Sequence, residues 1–290
     1  MSEFFIELFS EEIPANLQNK TRQDFFQNLK EFLEKEDIKY SGEATAFSIP
    51  NRLIVYFQNI SKKITKKENE IRGPNINAPE DALNGFLKSY KISIDKTYKK
   101  KTDKGEFYFF KKPSESIETK FVLQKNLPKI LDKISWKKSM RWADHELYWG
   151  RPLKSILCCF DNKTLEFEYH HLVSSNITFI DKDFEQKTKK FVRFKDYLAF
   201  FRSQNIILDN KKREQFIVDQ LNRIAKKENL KIHFNSTLLN EVTNIVEKPN
   251  IIKCRFNKRF LEIPDDILVT TMQVHQKYFP TFDSLSLIHI

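Results

Sequence analysis

The stretch from Met272 to Pro280 collects side chains that can move protons or bind anions: Gln273, His275, Gln276, Lys277 and Tyr278. Nucleophilic catalysis needs a nucleophile beside a base. The sequence shows no such pair, and it has no glycine-rich phosphate-binding loop. We therefore do not interpret the segment as an active site, and the role of Gln276, Lys277 and Tyr278 is unknown. We predict no catalytic, cofactor-binding or metal-binding residue.

Two arginines in the middle of the chain, Arg141 and Arg151, are followed by Trp142 and Pro152. The guanidinium fork of arginine matches phosphate, and an indole ring stacks on nucleobases, so this group would clamp a nucleic-acid strand. The alternative is a tryptophan anchored in a core, with the arginine stems lying along it. Both interpretations stay open at this point.

A second candidate RNA contact is the positive charge between residues 58 and 112. This segment holds 14 Lys+Arg and 7 Asp+Glu, a net charge of +7, whereas residues 1–57 carry −4 and the whole chain +11. Such an excess suits a polyanionic partner. The alternative is a solvated face. The lysines concerned are Lys62, Lys63, Lys66, Lys67, Lys99, Lys100 and Lys101.

Other potential ligands do not form a recognisable metal site or disulfide framework. His170 and His171 are adjacent, and neighbours on a strand point to opposite faces. Cys158 and Cys159 lie in an apolar, strand-like run, Cys254 is remote in sequence, and no Cys-x-x-Cys spacing occurs. The chain also has no apolar stretch of about 18 residues and no signal-like N-terminus. We expect a cytoplasmic protein without a membrane partner.

Hydrophobic periodicity predicts the elements that position these candidates. The predicted strands are 3–9, 44–49, 53–60, 107–111, 153–160, 165–169 and 251–256. The predicted helices are 17–33, 81–90, 121–134 (kinked or divided at Pro128), 195–203, 211–228 and 236–247. This order indicates an α+β protein of mixed sheets with packed helices and more than one domain. The expected divisions are an N-terminal α+β unit 1–60, a basic appended segment 61–135, an α+β domain 136–283 and a tail 284–290.

Short motifs recur in a fixed order along nearly the whole chain. They are Phe5–Pro14, Ile49–Leu53, Ile71–Pro74, Thr102–Glu106, Met140–Trp142 with Arg151-Pro152, Glu241–Pro249, Phe260–Pro264 and Met272–Pro280. Each motif is weak alone, but their common order and spacing are specific. Together they resemble the bacterial glycine–tRNA ligase beta subunit, whose opening strand, Glu-Glu-x-Pro turn and Gln-Lys-Tyr-Phe-Pro segment they match.

The sequence departs from this family pattern at several places. Asn51 stands where the family has arginine, and Ala143 stands where it has glycine. Residues 174–181 replace a Gly-His-Arg-Phe segment, and the residues after Asp283 no longer follow the pattern. Family members continue into a helical region and a C-terminal anticodon-binding domain. We therefore expect that the tail 284–290 is non-native and loosely ordered, or that the chain is cut there.

The resemblance implies a function and a set of partners. It implies the N-terminal portion of a non-catalytic beta subunit, which pairs with an alpha subunit in an alpha2beta2 heterotetramer. That enzyme joins glycine to its tRNA, tRNA(Gly), and uses ATP and magnesium through the alpha subunit, so no cofactor is expected on this chain. The beta subunit holds tRNA and supports assembly, which implies that the Met272–Pro280 segment is structural or RNA-facing. A module like B3/B4 of phenylalanine–tRNA ligase is expected after about residue 135. The alternative is a stand-alone RNA-binding or structural module without a synthetase partner.

Overall fold

Helices and antiparallel strands are mixed along the chain, which confirms the α+β class. The computed structural model describes residues 2–66, 68–180, 187–283 and 287–289. The helices are α1 (Ala15–Lys35), α2 (Glu80–Tyr90), α3 (Thr119–Asp132), α4 (Phe194–Ser203), α5 (Asn210–Glu228), α6 (Ser236–Ile245) and α7 (Asp265–Thr270). Short 3₁₀ turns occur at Ile94–Lys96 and Lys258–Glu262, and Thr271–His275 is a π-helical turn.

The strands carry the framework of both parts of the molecule. They are β1 (Ser2–Ser10), β2 (Tyr40–Ile49), β3 (Arg52–Ile60), β4 (Lys63–Lys66), β5 (Asn69–Asn75), β6 (Thr97–Thr102), β7 (Gly105–Lys112), β8 (Glu115–Glu118), β9 (Leu153–Phe160), β10 (Lys163–Thr164), β11 (Glu168–Tyr169), β12 (Leu172–Val173), β13 (Ile177–Phe179), β14 (Thr188–Lys190), β15 (Lys231–Ile232), β16 (Thr281–Phe282) and β17 (Leu287–His289).

A five-stranded antiparallel sheet, ordered β10-β9-β1-β3-β2, forms the main framework. β1 lies at its centre, where Phe5 is opposite Tyr56 of β3 and Cys159 of β9. Helices pack on both faces, and a strand covered on both faces has a continuous apolar sequence instead of an alternating one. This is why β1 is buried at nearly every position, and why the adjacent thiols Cys158 and Cys159 are both buried.

The two faces of the sheet are covered by different helices. α1 contributes a stripe with three- and four-residue spacing, and Phe26 stacks on Phe57 of β3 at 5.6 Å. On the opposite face, Phe194 of α4 packs on Phe5 at 5.5 Å and on Tyr56 at 4.1 Å. Burying each such side chain contributes about 1.5–3 kcal/mol. The buried residues of the α1 stripe are Leu17, Gln18, Thr21, Phe25, Leu29 and Leu33.

The pairing of β9 with β1 changes the expected domain organisation. Residues 1–62 and 123–290 form one unit, and residues 63–122 form a second. The expected divisions 1–60 and 136–283 therefore merge, because β9 occupies the edge of β1 that β3 leaves open and satisfies its backbone hydrogen-bonding groups. The basic segment is an insertion within the first unit, with limits at 63 and 122 instead of 61 and 135.

The second unit is built on a three-stranded antiparallel sheet, β5-β7-β6, together with the pair β4-β8. One face of the sheet is covered by α2, since Tyr90 packs against Phe110 at 6.2 Å. On the other face Tyr98 stacks on Phe109 at 6.1 Å, and the guanidinium of Arg72 lies 3.5 Å from the centre of the Phe107 ring. That face therefore combines aromatic rings with cationic groups.

Some expected elements differ from the structure. The strand expected at 165–169 is reduced to β11, although Leu165, Phe167 and Tyr169 are buried as its alternation predicted. Residues 251–256 are not a strand, because their backbone pairs with none of the described strands, and Ile251 packs against the cluster of α5 and α6. α3 continues past Pro128 to Asp132 instead of dividing. In the expected tail 284–290, residues 287–289 form β17, and the others lie outside the described residues.

Candidate RNA interface and the Gln-Lys-Tyr segment

Residues Met272–Pro280, which we call the Gln-Lys-Tyr segment, form the tightly turned end of a helix. After the π-helical turn, the Gln276 N–H donates to Thr271 O at 3.2 Å, and the Tyr278 N–H donates to Met272 O at 2.9 Å. Lys277 between them has a φ of 60°, in the left-handed region. An L-residue pays roughly 1–2 kcal/mol for this conformation, which persists only where surrounding contacts hold it.

Side chains of the segment supply those contacts. Lys277 Nζ lies 2.8 Å from Glu241 Oε2 on α6, so the lysine is tied to a neighbouring helix. Gln273 Oε1 accepts a hydrogen bond from Asn235 Nδ2 at 3.1 Å. Phe279 is buried in a cluster with residues of α5 and α6. These three side chains of the segment therefore act in packing and positioning, while His275, Gln276 and Tyr278 are exposed.

A cavity of about 390 Å³ lies beside Tyr278 and Phe279. Its walls are mostly aliphatic, and Lys277 at its lining is already paired with Glu241. Among the residues that the structure describes, no group of three or more His, Cys, Asp or Glu side chains is placed to hold a metal ion. This arrangement packs the helix end and provides apolar surface.

The 140–149 loop carries the expected Arg-Trp candidate. Its ends are joined by Met140 and Trp149, which exchange backbone hydrogen bonds of 2.8 and 3.1 Å. Trp149 is buried and anchors the loop, whereas Trp142 and Tyr148 are exposed. Trp149 is therefore the tryptophan that is anchored in a core, whereas Trp142 is placed at the surface, where it could stack on a nucleobase.

Both candidate arginines remain near the surface. Arg141 is exposed, and its Nε donates to the backbone oxygen of His145 at 3.1 Å. Arg151 is half-buried, and its Nη1 donates to Gly150 O at 2.9 Å. Gly150 is needed there because a Cβ would come within 2.2 Å of the Trp136 ring. The two guanidinium groups are therefore accessible to anions, and the backbone near Arg151 is closely packed.

Sequence reasoning weighed His171 only as a metal ligand and did not place His145, Tyr148 or His171 beside Trp142. The rings of His145 and His171 stack with centroids 3.6 Å apart, and the Trp142 ring meets His145 edge-on at 5.5 Å. Burial, followed by His145 and His170, lowers the pKa of His171 below its ordinary value. The spacing of Trp142 and His145 was a weak local signal, but nothing in the sequence linked either residue to His171.

The seven lysines expected to contact RNA do not form a single run of free ammonium groups. Lys62 belongs to the first unit, where its Nζ lies 2.6 Å from Asp161. Lys99 and Lys101 share one face of β6, whereas Lys100 points to the other and lies 2.5 Å from Glu70. The correction follows from strand geometry, which separates adjacent side chains. Lys63 is an exposed residue of β4, Lys67 lies outside the described residues, and the side chain of Lys66 is not described.

The adjacent histidines His170 and His171 contact different parts of the molecule. His171 stacks on His145, while His170 Nε2 lies 3.8 Å from Asp132 Oδ1, so the two imidazoles have different neighbours.

Within the described ranges, no helix has the length and apolar character required to cross a membrane.

Comparison with known proteins identifies the family. The sequence pattern described as glycyl-tRNA synthetase beta subunit matches residues 4–289, including residues 284–289 that we expected to depart from it. The glycine–tRNA ligase beta subunits of Rickettsia prowazekii (strain Madrid E) and Rickettsia felis (strain ATCC VR-1525 / URRWXCal2) are both 36% identical to the chain, over 284 and 285 residues. Each alignment covers 98% of this chain, but only 42% and 43% of the respective relative.

The chain thus spans about two-fifths of the length of these curated relatives. The motifs from the opening strand to the Gln-Lys-Tyr segment all lie within the matched range, so the resemblance noted from them is confirmed. The chain belongs to the glycyl-tRNA synthetase beta subunit family.

Proposed function

We propose that this chain is part of the beta subunit of an alpha2beta2 glycine–tRNA ligase, and that it supports tRNA binding and assembly without catalysing the reaction. The carrying observation is the family match over nearly the whole chain. The proposed partners are the alpha subunit and tRNA(Gly). ATP and magnesium would be used through the alpha subunit, in the cytoplasm. A B3/B4-like module after about residue 135 stays a prediction.

Two features support a role in binding rather than chemistry. Lys277 is paired with Glu241, and Gln273 accepts a hydrogen bond from Asn235, so polar side chains of the Gln-Lys-Tyr segment are used to hold the helix end. The second unit, residues 63–122, carries 14 Lys+Arg against 9 Asp+Glu, a net charge of +5. Positive charge of this kind favours contact with RNA phosphates.

The direct test is pyrophosphate exchange with glycine, ATP and magnesium. The purified chain alone should give no glycine-dependent exchange of label into ATP, whereas the alpha subunit should co-purify with the chain when the two are expressed together. Exchange by the chain alone that Lys277→Ala and Tyr278→Phe abolish would overturn the non-catalytic assignment. Exchange by the chain alone that both variants retain would overturn it too and would place the active site elsewhere.

The stand-alone module makes a different prediction in the same experiment. It would bind tRNA but would not retain an alpha subunit during purification. Retention of the alpha subunit by this chain, together with tRNA binding, therefore separates the synthetase assignment from the alternative. Loss of both properties would contradict both.

A further inference from the structure

The stacked rings of His145 and His171 mark a place where planar groups are held in parallel at the surface. Their planes differ by 3° at a centroid distance of 3.6 Å, which is van der Waals separation. Trp142 lies at the edge of His145 and is 40% exposed. Two aromatic side chains beside open solvent, Trp142 and His171, are therefore available to a further planar ring. We call Trp142, His145 and His171 the stacking site.

The backbone around the stacking site is held in place before any ligand binds. The Met140–Trp149 backbone pair closes the 140–149 loop, and Arg141 Nε bonds to the backbone oxygen of His145 within it. Trp149 packs against Trp136 with ring centroids 5.1 Å apart, which fixes the base of the loop. A loop that is already ordered loses less conformational entropy on binding.

Charge around the stacking site favours an anionic ligand. Residues 136–154 hold five Lys+Arg and two Asp+Glu. Lys137, Lys138 and Arg141 are exposed, and Arg141 projects from the loop that carries Trp142. A planar ring attached to a phosphate chain would stack on the aromatic side chains while its phosphates contact the cations. Single-stranded nucleic acids bind proteins through this combination.

We propose that the stacking site binds one unpaired nucleobase of an RNA strand, with Arg141 and the neighbouring lysines contacting the adjoining phosphates. The inference rests on the proposed function, tRNA binding, because it specifies which part of an RNA this surface binds. A base inside a duplex has both faces covered by its neighbours, so the site selects unpaired nucleotides. It does not depend on base identity, since every base has a π face.

The test compares a short single-stranded oligoadenylate with a duplex RNA of the same length. The wild-type chain should bind the single strand, and Trp142→Ala should weaken this binding about tenfold while leaving duplex binding unchanged. Phe216→Ala is the matched control, because Phe216 is an aromatic residue of α5 that is 38% exposed. His171→Ala should also weaken binding, and His171→Phe should restore it, because the phenyl ring stacks without imidazole chemistry.

Tryptophan fluorescence provides a second measurement that does not need the alanine variants to fold. Oligoadenylate should quench the wild-type emission, and Trp142→Phe should lose most of this quenching while Trp136 and Trp149 remain. Unchanged quenching in Trp142→Phe, or equal loss of duplex and single-strand binding in Trp142→Ala, would overturn the stacking site. Retained tRNA binding in that case would leave the proposed function intact. Absence of any RNA binding by the wild-type chain would overturn both.

Discussion

The Arg52 guanidinium and the Glu7 carboxylate form a buried ion pair between β3 and β1, with Nε 3.1 Å from Oε2. Both side chains are at most 2% exposed. Glu7 also accepts hydrogen bonds from Thr178 and Tyr197, and Arg52 donates to the backbone oxygen of Phe179. Burial and the nearby Glu7 raise the pKa of Tyr197 well above its ordinary value, so this hydroxyl stays a donor. The pair thus joins β1, β3, β13 and α4.

Removing one partner of this pair should strongly destabilise the protein. Arg52→Met leaves the Glu7 charge buried without its cation, and the free energy of unfolding should fall by about 3–5 kcal/mol. Urea denaturation followed by circular dichroism measures the change. The control is Lys20→Met in the exposed Lys20–Asp24 pair of α1, which should cost less than about 1 kcal/mol. Similar losses in both variants would contradict a special role for the buried pair.

Ala143 occupies a position that favours glycine. It stands where the family motif has glycine, and its φ of 48° is in the left-handed region. Ala143→Gly should therefore raise the free energy of unfolding by about 0.5–1 kcal/mol, because relief of the side-chain clash exceeds the entropic cost of glycine. Ala199→Gly is the matched control on the exposed side of α4, where glycine should cost about 1 kcal/mol. Thermal unfolding of the two variants should shift in opposite directions.

The lysines of β6 should contribute unequally to RNA binding. Lys99→Ala combined with Lys101→Ala should reduce the slope of log affinity against log salt for tRNA, by about 0.7–0.9 for each phosphate that a lysine no longer neutralises. Lys100→Ala should change the slope less, because its Nζ is paired with Glu70 on the other face of the strand. The measurement is filter binding across a salt series. Equal slopes in the wild type and the double variant would show that Lys99 and Lys101 are only solvated.

His171 should titrate below its ordinary pKa of 6.5, since burial, then His145 and His170, disfavour its charged form. Between the folded and unfolded pKa values the unfolded chain binds more protons, so the contribution of His171 to stability is full above pH 6.5 and decreases as the pH falls below it. NMR titration of the imidazole measures the folded pKa. His145→Ala should raise this pKa without fully restoring it, because burial remains. A midpoint at or above the ordinary value would contradict the stacked arrangement.

Local sequence patterns determined the helices α1 to α6 and the strands β1, β2, β3, β7 and β9, but not most of the shorter strands. The run Phe4–Phe9 of β1, apolar except at Glu7, and the three- and four-residue spacing in α1 were sufficient to predict a covered strand and an amphipathic helix. The turn Asp161-Asn162 is also local in origin, because both residues adopt positive φ, 54° and 58°, in the two-residue connection between β9 and β10, and Asp and Asn tolerate that conformation. The ordered motifs determined the family.

Only the tertiary structure decided which of these elements share a framework. Phe5 and Cys159 are neighbours because β9 pairs with β1, and this long-range hydrogen bonding made the basic segment an insertion. Likewise, Trp142 could be suspected from its neighbours in sequence, but the stack of His145 on His171 depends on how two distant loops pack. Periodicity records which face of an element is buried. It does not record which element covers that face, because apolar burial is non-directional and many partners satisfy it equally well.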